Sequence, residues 1–264
     1  MNYTLLTSKS NEKLKRIRKL EDRKHRHREK LFVFEGAHLL EEYVRAGLMP
    51  VEIFVCDDVV EKYGQLIEAS GCFDVFVLPR DVYKTVSSEQ APQGILSLCS
   101  FEEKKAESWN ARVTGSLLLE SVRDAGNLGT IIRTAASLGI DRIFISDDCA
   151  DLYNSKTVRA TMGALFFSDI TVVSDLCTVA DAIKSEGGRV FATLPAEGAK
   201  VLGEFEVLPT DSFAIGNEGG GLSERLISYC TDSAVIPMSG RTESLNAAAA
   251  ATVFLWEMAK AKSR

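Results

Sequence analysis

The stretch "LLLESVRDAGNLGTIIRTAASLGI", residues 117–140, decides how the rest of the chain is read. Its leucines form a short apolar strand, Arg123 to Asn127 form a loop, and a helix begins near Asn127, whose side chain is suited to cap it. Gly129 keeps the first turn bare, while Ile131, Ile132, Ala135 and Leu138 supply the buried side. With Asn127 just outside the helix, Arg133 projects near the same helix end; taken alone, this piece reads first as an Asn cap and a surface Arg. Outward from it, "RIFIS", "ITVV", "RVFATL", "DSFAIG" and "SAVIP" are further short apolar strands, most of them separated by helical segments. That rhythm implies a mostly parallel α/β sheet covered on both faces, with ligands at the loops beyond the carboxyl ends of its strands.

Upstream, "LFVFEG", "VEIFVCDD", "FDVFVLP" and "GILSLC" alternate with helical stretches and make a smaller α/β unit over residues 1–100. The polar, aperiodic stretch 101–115 reads as a linker, and 116–264 as the second domain. With 45% hydrophobic and 26% charged residues, the 264-residue chain has a globular balance. It has neither an apolar run of membrane length nor the apolar core of a secretory signal, so a cytoplasmic protein is expected. Six scattered cysteines without a C-x-x-C pair and three histidines confined to positions 25–38 imply no metal site, and leave the C-terminal half without the commonest general base. The net charge of -6 disfavours nucleic-acid binding by the whole surface. Yet residues 13–30 carry ten Lys or Arg against three acids, and this suits localised phosphate contact or a solvated helix face docked through Leu14, Ile17 and Leu20.

Two more strand-end loops stand out. "GNEGGG", residues 216–221, places Glu218 among glycines that turn sharply or let a ligand approach, and Ser223 caps the helix that follows. It is neither a dinucleotide fingerprint nor a P-loop. "IPMSGRTESLN", residues 236–246, leads into five alanines, 247–251, a helix start bare enough for close approach by another loop or an adenine-sized ligand. A strand followed by no glycine-rich loop at 120–126 also disfavours an ordinary Rossmann-type methyltransferase.

In this order the three loops resemble the SpoU (TrmH-like) family of RNA ribose 2′-O-methyltransferases within the SPOUT class. Asn-x-Gly-x-x-x-Arg stands at Asn127 to Arg133, Gly-Asn-Glu-Gly-x-Gly at Gly216 to Gly221, and Ile-Pro-Met with Ser-Leu-Asn at 236–238 and 244–246. "NSKTVRATMGALF", from Asn154, is similar to the family segment between the first two motifs, and residues 1–100 resemble an L30e-like substrate-binding extension. Ala247 and Ala248 depart from the family's Val and Ser but keep the small size.

The resemblance implies a parallel sheet with a C-terminal trefoil knot, rare among proteins, a homodimer, and S-adenosylmethionine as cofactor. It implies catalytic roles for Arg133, Asn127, Glu218, Ser244 and Asn246, and cofactor contacts from Thr193, Leu194, Gly216, Asn217, Ile236, Met238 and Leu245. The resemblance makes Arg133 the candidate for activating the hydroxyl; because a guanidinium stays protonated and is a poor base near neutral pH, stabilising the 2′-oxyanion or holding a phosphate stands beside the role of base. The expected partner is RNA, with the extension favouring ribosomal RNA, gripped by Lys13, Lys15, Arg16, Arg18, Arg23, Arg26 and Arg28. A transfer-RNA ribose methyltransferase and a catalytically silent RNA-binding adaptor are the alternatives.

Overall fold

The computed structural model describes residues 3–102, 113–241 and 244–263, so residues 103–112 of the expected linker lie outside the described residues. The chain folds as two compact units, Met1–Glu102 with Asp151–Phe166, and Glu103–Ala150 with Phe167–Arg264.

The first unit contains β1 (Tyr3–Leu5), α1 (Glu12–Lys19), α2 (Arg23–Glu29), β2 (Leu31–Glu35), α3 (Ala37–Arg45), β3 (Glu52–Cys56), α4 (Val60–Ala69), β4 (Val75–Leu78), α5 (Arg80–Tyr83) and β5 (Ile95–Ser100). Its sheet order is β1-β4-β3-β5-β2; β5 runs antiparallel to both β2 and β3, while β3, β4 and β1 are parallel. The basic stretch is two helices rather than one: Asp22 caps α2 by accepting the His25 N–H. Leu14, Ile17 and Leu20 are buried in this unit's core as their spacing predicts.

Residues 151–166, which the sequence places inside the second domain, pack with this first unit. They include α7 (Ser155–Thr161). Tyr153 stacks on Phe101 with centroids 3.9 Å apart, and Phe166 lies against Phe34 and Tyr43. The Asp151 carboxylate accepts from Arg26 Nη2 at 2.6 Å and Nε at 3.0 Å, with both side chains nearly buried.

The second unit contains β6 (Leu117–Leu119), α6 (Ala125–Ser137), β7 (Arg142–Ser146), β8 (Asp169–Val173), α8 (Leu176–Ser185), β9 (Val190–Thr193), β10 (Lys200–Val201), β11 (Ser212–Ile215), α9 (Glu224–Tyr229), β12 (Asp232–Val235) and α10 (Ala247–Lys262). All pairings in its sheet, ordered β10-β12-β9-β11-β6-β7-β8, are parallel. Its central strands carry mainly apolar residues because both faces are covered: Phe144, Phe191, Phe213 and Leu118 are fully buried. Registers Ile215 opposite Leu119, Ala214 opposite Ala192 and Ala234 opposite Thr193 align the carboxyl ends of β6, β11, β9 and β12. The loops that leave those four ends therefore share one edge.

Five of the six free cysteines are buried and Cys230 is partly so. Burial pushes the thiols of Cys177 and Cys230 up to about 11 and about 12, so they behave as small apolar side chains.

Candidate active site

The loop after Leu119 delivers Asp124, not Asn127, as the cap of α6: its carboxylate accepts the Asn127 N–H at 2.8 Å. Asn127 is thus the third residue of the helix, and its side chain is released from capping. Asn127 Nδ2 donates to Glu218 Oε1 at 2.8 Å, and Asn127 Oδ1 accepts from Asn246 Nδ2 at 3.1 Å. Asn246 also caps α10, its Oδ1 accepting from the amides of Ala248 and Ala249. One hydrogen-bonded chain, Asn246 to Asn127 to Glu218, thereby joins all three strand-end loops.

Between the second and third loops lies a cavity of about 450 Å³. The structure brings all seven expected cofactor contacts, Thr193, Leu194, Gly216, Asn217, Ile236, Met238 and Leu245, into its lining, together with Glu218 and Ser244. Thr193 Oγ1 donates to the Ala214 carbonyl at 2.8 Å and ties two of the walls together. Met238 and Leu245 are 40% and 42% exposed, apolar surface of the kind that a ligand in the cavity covers. Sequence reading missed Ala234, Val235, Ala250 and Phe254 in the same lining. A signal for three of the lining residues was present: Ala247, Ala250 and Phe254 fall on one helical face at i, i+3 and i+7.

Two of these lining residues also hold the loop that carries them. Asn217 lines the cavity, and its side-chain amide ties the first two loops together: Oδ1 accepts from the amides of Gly219 and Gly220 in its own loop, and Nδ2 donates to the Ser121 carbonyl of the first loop at 2.8 Å. Gly216 must be bare for the loop itself, because a Cβ there would sit 2.2 Å from the carbonyl carbon of Gly221.

Arg133 stands apart from the chain of amides and Glu218. Six residues beyond Asn127 on α6, it lies about 9 Å further along and a third of a turn around the helix. It is exposed and has no side-chain hydrogen bond or ion pair among the described residues. The capping residue accounts for this: with α6 starting at Ala125, Asn127 is inside the helix and the two side chains no longer share its end.

In the first unit the expected RNA contacts divide. Arg26 is only 3% exposed, and besides Asp151 it donates to the carbonyls of Leu20 and Glu21, so it is a core ion pair and not a phosphate ligand. Lys13 bridges to the buried Glu52, Lys15 to Glu12, and Arg16 to Glu29, while Arg18 bonds the Lys9 carbonyl and Thr85. Arg23 and Arg28 lie exposed on α2, Arg28 next to Glu29.

A parallel sheet whose strand-end loops enclose an apolar cleft, with a hydrogen-bonded Asn-Asn-Glu chain joining them, is an α/β domain with its ligand site beyond the carboxyl ends of its strands. The chain belongs to the SpoU rRNA Methylase family, whose sequence pattern matches residues 115–256, and residues 11–97 match the MRM3-like substrate binding domain. The 23S rRNA (guanosine(2553)-2'-O)-methyltransferase RlmP of Bacillus subtilis (strain 168) is 32% identical over 255 residues, 96% of this chain and 98% of that protein. The 23S rRNA (uridine(2479)-2'-O)-methyltransferase of Streptomyces viridochromogenes is 32% identical over 53% of this chain and 50% of its own length. Among solved structures, the AdoMet-bound rRNA methyltransferase from Sinorhizobium meliloti has a TM-score of 0.82 at 28% identity, covering 98% of each chain.

The lining fits the family's methyl donor, S-adenosylmethionine. Its apolar walls suit an adenine, and the bare backbone at Gly216 and Gly221 and the hydroxyls of Thr193 and Ser244 offer polar groups for the ribose and amino-acid ends.

Proposed function

We propose that this protein transfers a methyl group from S-adenosylmethionine to a ribose 2′-hydroxyl of ribosomal RNA, as a homodimer in the cytoplasm. The observation that carries the reading is that one cavity gathers residues of the second and third loops while the first loop is hydrogen-bonded to Glu218 in its lining. S-adenosylmethionine supplies an electrophilic methyl when bound. Thr193, Leu194, Gly216, Ile236, Met238 and Leu245 hold it, and Asn127, Glu218, Ser244 and Asn246 orient the ribose at the mouth of the same cleft. As the methyl moves to the 2′-oxygen its bond to sulfur breaks and S-adenosylhomocysteine leaves, the hydroxyl proton goes to water, and Arg133, a permanent cation, stabilises the developing 2′-oxyanion.

The homodimer accords with two features of the second unit. Val253 and Trp256 leave an apolar strip on the outer face of α10, 37% and 55% exposed, and Arg133 has no partner of its own among the described residues. A second copy that borders the cleft would use both. A C-terminal knot belongs to the same reading; α10 returns to pack on α6, the first helix of this unit. Among the described residues no helix is long and apolar enough to cross a membrane.

Ribosomal RNA is gripped by the first unit through exposed cations such as Arg23 and Arg28, which makes affinity fall steeply with salt. The test is methyl transfer from labelled cofactor to separate ribosomal and transfer RNA pools, followed by mapping of the methyl group. Label confined to transfer RNA, or on a base, overturns the substrate assignment. Arg133→Ala is expected to bind cofactor normally and to lose turnover by about 100-fold or more, the usual cost of a lost oxyanion donor; near-normal turnover refutes its role.

A further inference from the structure

Glu120 and Ser121, the two residues that leave β6, both hold the loop 216–223 that follows the neighbouring strand β11, Glu120 at its two ends and Ser121 near its start. Glu120 N donates to the Ile215 carbonyl at 2.9 Å, at the loop's entry. Its carboxylate then reaches the loop's exit, where Oε2 accepts the Ser223 N–H at 2.6 Å and Oε1 accepts the Ser223 hydroxyl at 2.7 Å. That hydroxyl in turn accepts the Leu226 N–H and caps α9. The Ser121 carbonyl accepts Asn217 Nδ2 at 2.8 Å, and Asn217 Oδ1 gathers the amides of Gly219 and Gly220.

Ser121 holds this carbonyl in an unusual conformation. Its φ is +55°, in the left-handed region that residues with side chains seldom occupy. Three bonds from the end of β7 keep it there: Ser121 N donates to Ser146 Oγ at 2.8 Å, Ser121 Oγ donates to Asp148 Oδ2 at 2.6 Å, and Ser146 Oγ donates to Asp148 Oδ1 at 2.6 Å. Backbone strain held by dedicated side chains beside a cleft points to a function.

We propose that Glu120 and Ser121 are positioning residues for methyl transfer, a clamp that sets the 216–223 loop as the cofactor's wall and aims Glu218 at Asn127. The inference rests on the assignment of the cavity to S-adenosylmethionine. Because Gly216, Asn217, Glu218 and Gly221 all line that cavity, a loosened clamp withdraws cofactor contacts and the Glu218 carboxylate together. RNA held by the first unit is unaffected.

The test is steady-state methylation of ribosomal RNA by the full-length protein and its Glu120→Ala, Glu120→Gln, Ser121→Gly and Ser121→Val variants, with cofactor binding measured by calorimetry. Glu120→Ala is expected to raise KM and Kd for S-adenosylmethionine about tenfold and lower kcat about tenfold, with KM for RNA within twofold. Glu120→Gln keeps an acceptor for the Ser223 N–H and recovers most of the loss. Ser121→Gly, which tolerates the left-handed backbone, loses less than Ser121→Val, which does not. Wild-type cofactor affinity in Glu120→Ala overturns the clamp. So does a loss in which both KM values and the melting temperature move together with no rescue by glutamine, the mark of a structural role alone. Failure of the unmodified protein to bind S-adenosylmethionine overturns instead the assignment of the cavity.

Discussion

Gly216→Ala adds one carbon to the loop and should cost most of the cofactor affinity. Gly216 has no positive φ, so the obstacle is space and not backbone conformation. The new Cβ would lie 2.2 Å and 2.3 Å from the carbonyl carbon and oxygen of Gly221 and 2.4 Å from Leu222 N. All three are backbone atoms, and no side-chain rotation relieves them. Ordinary carbon separations are about 3.5–4.0 Å, so the two sides of the loop must part by about 1 Å or more. That motion breaks the paired bonds Asn217 N to Gly221 O and Gly221 N to Asn217 O, each 2.9 Å. At about 1 kcal/mol each, with about 1–3 kcal/mol for overpacking, the cost is about 3–5 kcal/mol. Borne by the cofactor's wall, this corresponds to a fall in affinity of about 100-fold or more. Calorimetry with S-adenosylmethionine, alongside thermal melts, measures it. Gly219→Ala and Gly220→Ala are internal controls, because a Cβ there meets only Asn217 Oδ1, at 3.5 Å and 3.9 Å, with no positive φ at either position. They should bind within about threefold of wild type. A Gly216→Ala protein with wild-type affinity and melting temperature, or a Gly219→Ala protein equally damaged, refutes the steric argument.

Ala247→Phe places a ring at a buried position in the cavity lining; cofactor affinity should fall about tenfold or more while circular dichroism keeps its helical signal, since intrinsic propensity changes by only about 0.5 kcal/mol. Loss of helix before loss of binding would sink the close-approach reading of the alanines. Asp151→Ala strands the buried Arg26 guanidinium and should destabilise by about 3–5 kcal/mol in denaturant unfolding. Arg28→Ala, with a side chain 60% exposed, should stay within about 0.5 kcal/mol and yet weaken RNA binding. Asp148 is held down to about 2 by hydrogen bonds from Ser121 and Ser146, with Arg123 adding to them. A depressed carboxylate stabilises the fold above its unfolded pKa and loses that contribution as pH falls towards the folded value. The gap in melting temperature between wild type and Asp148→Asn should therefore hold steady from about pH 8 to about 5 and close below about 4. A gap unchanged at about pH 3 contradicts the assignment.

The parallel body of the second unit was legible because runs such as "RIFIS" and "DSFAIG" have uninterrupted apolar centres, Ile143 to Ile145 and Phe213 to Ile215, as doubly covered strands do. The cavity was legible as well, since every lining residue expected from the three loops converges on one strand edge. Short strands were not: β1 and β10 span three and two residues, too few to show any period. The start of α6 is ambiguous in the string because Asp124 and Asn127 are both good caps, and only the three-dimensional partner, Glu218, draws Asn127 away from that role. Arg26 shows the same limit in charge. Inside a run of cations nothing distinguishes the one whose counter-ion, Asp151, comes from 125 residues downstream. The glycines of 216–221 differ among themselves for reasons equally invisible in the string: Gly216 is crowded by backbone, Gly221 needs φ +67°, and Gly219 has room for a side chain.

Residues 151–166 belong by packing to the first unit, although in the sequence they fall within the stretch that carries the methylase family's pattern. Recognition modules on such a chain cannot be exchanged at a single splice point. A chimera that replaces only the first hundred or so residues keeps a native Tyr153, Phe166 and Asp151 facing foreign counterparts to Phe101, Phe34 and Arg26. The unit that must be inherited together is therefore two separated pieces of chain, and a change at Phe101, Phe34 or Arg26 is constrained by what stands at 153, 166 and 151.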